Sequence, residues 1–195
     1  MKIKSILSNN QMIYSITELK KIGLSQYKIN NLVNDGSIKK LNKHYYENTN
    51  YNGDNSDFYY AYAYASKGVI CLLSAANYYN LTTFIPDSID VAIPRKTRIS
   101  TLPDWPTINI YYYTNKRFDL GINTIYNDEN IFKIYNIEKT VIDIIYYRNK
   151  VGLEETKEIL TNYLRRKDRN INQLVEYSKK MKCYDILKNY LEVLI

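Results

Sequence analysis

Two cysteines and a single histidine are all that this chain of 195 residues holds of the softer metal ligands. Cys71 and Cys183 lie far apart and His44 stands alone, so a zinc site of the Cys/His type is excluded by count. The same shortage removes Ser-His-Asp and Cys-His catalysis in their usual forms unless His44 serves, and its polar turn surroundings argue against that. Both thiols are expected to be reduced and buried. Glycine and proline are scarce, at 6 and 4 residues, which leaves little room for long linkers. No apolar run approaches the ~18 residues that a membrane span needs. The apolar stretch within MKIKSILSNN is too short for a signal-peptide core, so the expectation is a cytoplasmic protein with no membrane partner.

What is present is ordinary in bulk. Hydrophobic residues make up 45% and charged residues 24%, which excludes a fibrous or disordered chain. The length suffices for a core without disulfides or metals. The 22 tyrosines, with many Asn, Ile and Lys, match the codon usage of a genome rich in A and T. They are therefore not taken as a sign of base stacking. The net charge of +7 is uneven: residues 1–50 carry eight lysines against Glu18, Asp35 and Glu47, a net +5. Residues 51–110 sum to −1 and residues 111–195 to +3. A small basic module on a nearly neutral body is the electrostatic footprint of a protein that meets a polyanion.

The basic module reads as three helices and a hairpin. Ile3, Ile6 and Leu7 suit a short helix over residues 1–9. Ser15 with Glu18 three residues on forms a capping box for a second helix, which Gly23 ends. Ser25 caps a third helix, QYKINNLVN, in which Ile29, Leu32 and Val33 face a core. Gln26, Tyr27, Lys28, Asn30, Asn31 and Asn34 then face outward, with no acid among them. After the Asp35-Gly36 turn, Ile38–Leu41 and Tyr45–Glu47 read as short strands around Asn42, Lys43 and His44. This layout is that of a winged helix-turn-helix. Amides can pair with adenine edges in the major groove and Lys28 can reach phosphate or guanine. Lys39, Lys40 and Lys43 on the hairpin would lie beside the DNA backbone. The plainer alternative is a small helical domain that only packs on the body. For His44 the two readings are a wing-tip contact to phosphate or minor groove and an exposed turn residue with no role.

Asn48–Ser56 is polar and turn-rich and is expected to be an exposed joint, dividing the chain into residues 1–50 and 51–195. Helices are expected from Asp57 and over LLSAANYYN. Strands follow at Ile89–Ile93, alternating with Asp90 and Ala92, and at Ile108–Tyr112, with a hairpin around Asn127-Asp128. The last third is helical: Asn136 caps a stripe of Ile137, Thr140, Val141 and Ile144, and Leu153, Leu160 and Leu164 mark the next. Asn170 caps a third stripe of Ile171, Leu174, Val175 and Ser178, and Tyr184, Leu187, Leu191 and Leu194 mark a fourth. The expected fold class is α+β: a winged helix-turn-helix followed by a mixed α/β body with a small sheet and a helical C-terminal third.

No catalytic site, cofactor site or metal site is read in the body. Pro86-Asp87 and Asp90 suggest a metal nuclease, but the next strand, INIYYYT, offers no acid. No Gly-rich phosphate loop is present, and Gly36-Ser37 leads into IKKLN rather than paired acids. Two basic clusters are candidates for a secondary surface toward nucleic acid or an acidic partner: Arg95, Lys96 and Arg98 after a strand, and Arg165, Arg166, Lys167 and Arg169 at the end of a helix. Compensation of a helix dipole would explain one or two charges of the second cluster, not four.

Three stretches, LLSAANYYNLTTFIPDSIDVAIPRKTR (72–98), FKIYNIEKTVIDIIYYRNKVGLEE (132–155) and NYLRRKDRNINQLVEYSKKMKCYDILKNYLEVL (162–194), together resemble the AbiEi family. These are antitoxins of AbiE-type (type IV) toxin–antitoxin systems, linked to abortive infection and phage defence. Family members tend to have Ser-Pro where this chain has Asn136-Ile137, which alters only a helix start. The resemblance implies an N-terminal domain that binds double-stranded DNA at its own promoter, at inverted repeats, and represses the operon. It implies a C-terminal domain that carries antitoxicity against a nucleotidyltransferase toxin, with direct contact between the two left open. The competing expectation is a ligand-responsive winged-helix regulator with no antitoxin role, whose body would hold a pocket.

Overall fold

The computed structural model describes residues 7–54, 56–99 and 101–194. Of the helix expected over residues 1–9, residues 1–6 lie outside that set, and residues 7–10 are not helical.

A short strand β1 (Ile13–Ser15) runs directly into α1 (Ile16–Lys21). The capping box forms as read: the Ser15 hydroxyl accepts from Glu18 N at 3.2 Å, and the Glu18 carboxylate accepts from Ser15 N at 2.6 Å. Gly23 takes φ +89°, in the left-handed region, and Leu24 N returns to Leu19 O at 3.1 Å. Helix α2 (Gln26–Asn34) follows at once, and then the hairpin of β2 (Ile38–Lys40) and β3 (Tyr45–Asn48). β1 pairs with the other edge of β3, giving an antiparallel sheet of order β1-β3-β2. Leu19, Leu24, Ile29, Leu32, Ile38 and Tyr46 bury together and tie these elements into one core.

The rest of the chain builds a second sheet and its helices. In order come α3 (Phe58–Tyr64), β4 (Val69–Ile70), α4 (Leu72–Tyr78), β5 (Ile89–Pro94), β6 (Ile108–Tyr113) and α5 (Asn115–Phe118). The hairpin of β7 (Ile122–Asn127) and β8 (Asn130–Tyr135) follows. Then come α6 (Ile137–Tyr146), α7 (Arg148–Val151), α8 (Leu153–Arg165), α9 (Ile171–Lys180) and α10 (Tyr184–Leu194). The sheet order is β6-β5-β4-β8-β7. β5 with β6 and β4 with β8 run parallel; β4 with β5 and β7 with β8 run antiparallel. The architecture is mixed α+β, with ten helices and two small sheets among the described residues. None of these helices is long and apolar enough to cross a membrane.

Both faces of the second sheet are covered at its central strands β4, β5 and β8, which explains most departures from the sequence reading. One face packs on α4, α6, α8, α9 and α10 through Val69, Ala92, Tyr113 and Tyr135. The other carries Ile70, Val91, Ile93 and Ile134 and packs on α3 and on Met12 and Ile13. β5 is therefore buried from Ile89 to Ile93, Asp90 included, instead of alternating. In β6 the phase shifts, so that Tyr113 is buried and Tyr112 exposed. Helix α6 is buried all round from Glu138 to Ile145, not along one stripe, because the other helices surround it. Leu153, Ile171 and Tyr184, expected on inner stripes, sit exposed at the first turns of their helices.

The segment 48–56 is exposed at Thr49, Asn50 and Asn52 to Asp54, as expected, but its start is tied to the first fifty residues. Asn48 is buried, and its side-chain amide donates to Ser8 O at 2.9 Å and Gln11 O at 3.1 Å. The Thr49 hydroxyl donates to Gly36 O and Ser37 O at 2.7 and 2.8 Å. The first fifty residues are further joined to the body through Asn130. Its Oδ1 accepts from Met12 N at 2.7 Å, and its Nδ2 donates to Asn10 O at 3.0 Å.

Candidate nucleic-acid interface

Helix α2 owes its exposed face to three buried side chains on the opposite one. Leu24 before the helix and Ile29 and Leu32 within it are almost fully buried. The 3.6-residue period then turns the amides outward. The Ser25 hydroxyl accepts from Lys28 N at 3.4 Å, as an N-cap does. Gln26, Tyr27, Lys28, Asn30 and Asn34 are exposed, Tyr27 to 74%, while Asn31 is half-buried. Gln26 Nε2 donates to Asn30 Oδ1 at 3.2 Å, one helical turn away, so the two amides are held as a pair. No acid lies within α2; Asp35 at its C-terminal end is bonded to Ser37 N at 2.9 Å.

The hairpin carries the other basic residues expected to meet DNA, in a mixed arrangement. Lys39 and Lys40 are both exposed but point to opposite faces of β2. Lys39 lies opposite Glu47, with Nζ 3.9 Å from Oε2. Glu47 is also held by the Tyr60 hydroxyl, which donates to Oε1 at 2.8 Å. Burial and the nearby Glu47 together push the Tyr60 phenol well above its ordinary value. At the tip, Asn42 Oδ1 accepts from His44 N at 2.9 Å and Tyr45 N at 3.1 Å, which fixes the turn and leaves Lys43 and His44 exposed. The tip also reaches the body: Asn42 Nδ2 donates to Ala63 O at 2.9 Å, and the Tyr64 hydroxyl donates to Leu41 O at 3.0 Å.

The two secondary clusters differ in character. Arg95, Lys96 and Arg98 are exposed on the loop after β5, which is shaped by Arg95 N donating to Tyr113 O and Thr97 N donating to Pro94 O. Arg166 is half-buried and spent on structure. Its Nε and Nη2 take both oxygens of Asp168 at 2.9 Å, and its Nη1 reaches Tyr79 O at 3.0 Å. Arg169 donates to Arg166 O at 2.7 Å. Arg165 and Lys167 are exposed and make no ion pair with a described residue.

Sequence reasoning missed Lys67, which lies beside Lys96 and Arg98 in one cleft. It also missed Glu47 and Asn42 as the residues that set the hairpin's charge and tip. Only cross-strand register and the approach of α3 reveal these roles.

A buried ionic cluster occupies the middle of α6. Lys139 and Asp143, both fully buried, form a salt bridge, and Arg117 Nη2 lies 3.6 Å from Asp143 Oδ1. Burial pulls Lys139 below the ordinary lysine range, against the pull of Asp143. The Arg117 guanidinium stacks 3.8 Å from the Tyr146 ring centre, and Lys139 Nζ lies 4.0 Å from that of Tyr135. With both members of the pair buried, they present no surface to a substrate. Among the described residues no group of three or more His, Cys, Asp or Glu is placed to hold a metal ion.

Comparison with models of known protein families finds no match, and comparison with curated proteins finds none either.

Proposed function

We propose that this chain is a DNA-binding antitoxin and autorepressor of a toxin–antitoxin operon, acting in the cytoplasm against a nucleotidyltransferase toxin. In this reading residues 1–50 form a winged helix-turn-helix, α2 is the recognition helix and the β2–β3 hairpin is the wing. The observation that carries it is the outer face of α2: a paired Gln26 and Asn30, with Tyr27 and Lys28, and no acid. An ordinary exposed helix mixes both signs of charge; this one offers groups that match base edges and phosphate. The concentration of positive charge in the first fifty residues supports the same reading, as does the resemblance of the body's three stretches to AbiEi antitoxins. The body's role is regulatory and protective rather than enzymatic.

The test has two arms. Asn30→Ala should cost about 1–3 kcal/mol on the chain's own promoter and little on random duplex, by gel shift. Equal losses on both would reduce Asn30 to a positioning role. In cells with the toxin under an independent promoter, the full chain should rescue growth. Repression without rescue there makes the protein a repressor and not an antitoxin. The cleft beside Lys67 favours the second reading, a ligand-responsive regulator.

A further inference from the structure

Lys67, Lys96 and Arg98 come from two separate stretches and line one cleft of about 490 Å3 between the C-terminal end of α3 and the loop after β5. Ser66 and Thr97 add hydroxyls, Tyr64 adds a ring, and Ala65 and the fully buried Ile93 give an apolar floor. No carboxylate of a described residue lines the cleft. None of the three cations makes an ion pair with a described residue. The acids whose charge acts on Tyr64 are Glu47, already engaged by Lys39 and Tyr60, and Asp104. The backbone holds the walls in place, with Gly68 N donating to Ala65 O at 2.6 Å and Thr97 N to Pro94 O at 2.8 Å. Three like charges gathered around one hollow repel one another, and a bound anion relieves that repulsion.

We propose that this cleft binds a phosphorylated small molecule of the nucleotide class. Arg98 and the two lysines take the phosphates, Arg98 through its fork of donors, and Tyr64 with Ile93 and Ile99 receives the less polar part. The volume lies within the range of small-ligand sites. The Tyr64 hydroxyl and the Ala63 carbonyl bind the hairpin tip, so the cleft and the hairpin's attachment share Tyr64. Binding itself stands apart from the DNA-binding reading; only its effect on promoter affinity rests on that reading.

The test is calorimetric titration of the full chain with ATP and with inorganic tripolyphosphate. Both should bind one to one, ATP more tightly. Lys67→Glu, on an exposed loop residue, should weaken both by at least about tenfold with an unchanged unfolding midpoint. Lys67→Ala should fall between it and wild type. No saturable binding to the wild type, or equal binding to Lys67→Glu, overturns the site. If neither probe binds while Lys67→Glu weakens random duplex, the cleft takes a DNA backbone phosphate, which also overturns it. Promoter affinity is then measured with and without saturating ATP. ATP that binds and leaves that affinity unchanged overturns the link to the hairpin.

Discussion

Lys39 and Lys43 stand on the same hairpin, yet among the described residues only Lys39 faces a carboxylate, Glu47 at 3.9 Å. A lysine already partly neutralised releases fewer counterions from DNA. If the hairpin meets DNA as proposed, Lys43→Ala should reduce the slope of log K against log salt by about 0.9, and Lys39→Ala by less. Fluorescence anisotropy across a salt series checks this, and the reverse order would contradict the assignment of the wing. Asp90 permits a second comparison. Burial raises its pKa, against hydrogen bonds from Asn109, Tyr111 and the backbone at Leu73 and Ser74. The folded chain thus holds this proton at a higher pH than the unfolded chain does. The stability Asp90 contributes is complete below the unfolded value and is lost as pH rises through the folded one. Wild type should lose stability relative to Asp90→Asn as pH rises above the ordinary carboxylate value of about 4, read by urea unfolding at each pH. A constant difference would mean that Asp90 does not titrate there.

At the scale of elements, the local signals were the legible ones. Ser15, Ser25, Asn136 and Asn170 each cap the helix that the sequence assigns to them, with side chains accepting from the third helical N–H. Capping needs only neighbours in sequence, so it can be read without the fold. β4 could not be read, because two residues carry no period, although it joins β5 to β8 in the sheet. α6 was read as a helix but not as a buried one, since its surround comes from α4, α8, α9 and α10. That burial sets the energetics of Lys139 and Asp143. Lys139→Met leaves Asp143 buried with Arg117 alone, 3.6 Å away, and should cost about 3–5 kcal/mol. The Lys139→Met, Asp143→Leu double variant also strips Arg117 of this carboxylate, and should cost less than the sum of the two single changes. Urea midpoints for Lys139→Met, Asp143→Leu and the double variant decide the matter, and simple addition of the two single losses would show the pair to be uncoupled.

Across the whole molecule, the first fifty residues lean on the body. Met12 and Ile13 pack in the same core as α3 and β8, and Asn130 binds the backbone of Met12 and Asn10. Asn130→Ala would leave the Met12 N–H buried without its partner, at a cost of about 1–3 kcal/mol by chemical unfolding. Residues 1–50 alone would expose Met12 and Ile13 and lack Asn130. They should unfold at lower denaturant than the same residues do within the full chain, with amide exchange in β1 reporting the difference. Equal protection in both would show that the first fifty residues stand unaided.

The amino-acid sequence by itself determined the caps, the period of each long helix, the hairpins and the gathering of positive charge before Asn48. Each of these depends on residues within a few positions of one another. It also marked the outward residues of α2, because Ile29 and Leu32 must face inward on a 3.6-residue turn. Only the tertiary structure decided which charges are available. Arg166 is taken up by Asp168 and Tyr79, Lys39 is shared with Glu47, and Lys139 is buried against Asp143. Lys67 is brought beside Lys96 and Arg98 across a gap of nearly thirty residues. A charge's worth depends on its solvent exposure and its nearest counter-charge, and both are properties of packing between distant segments.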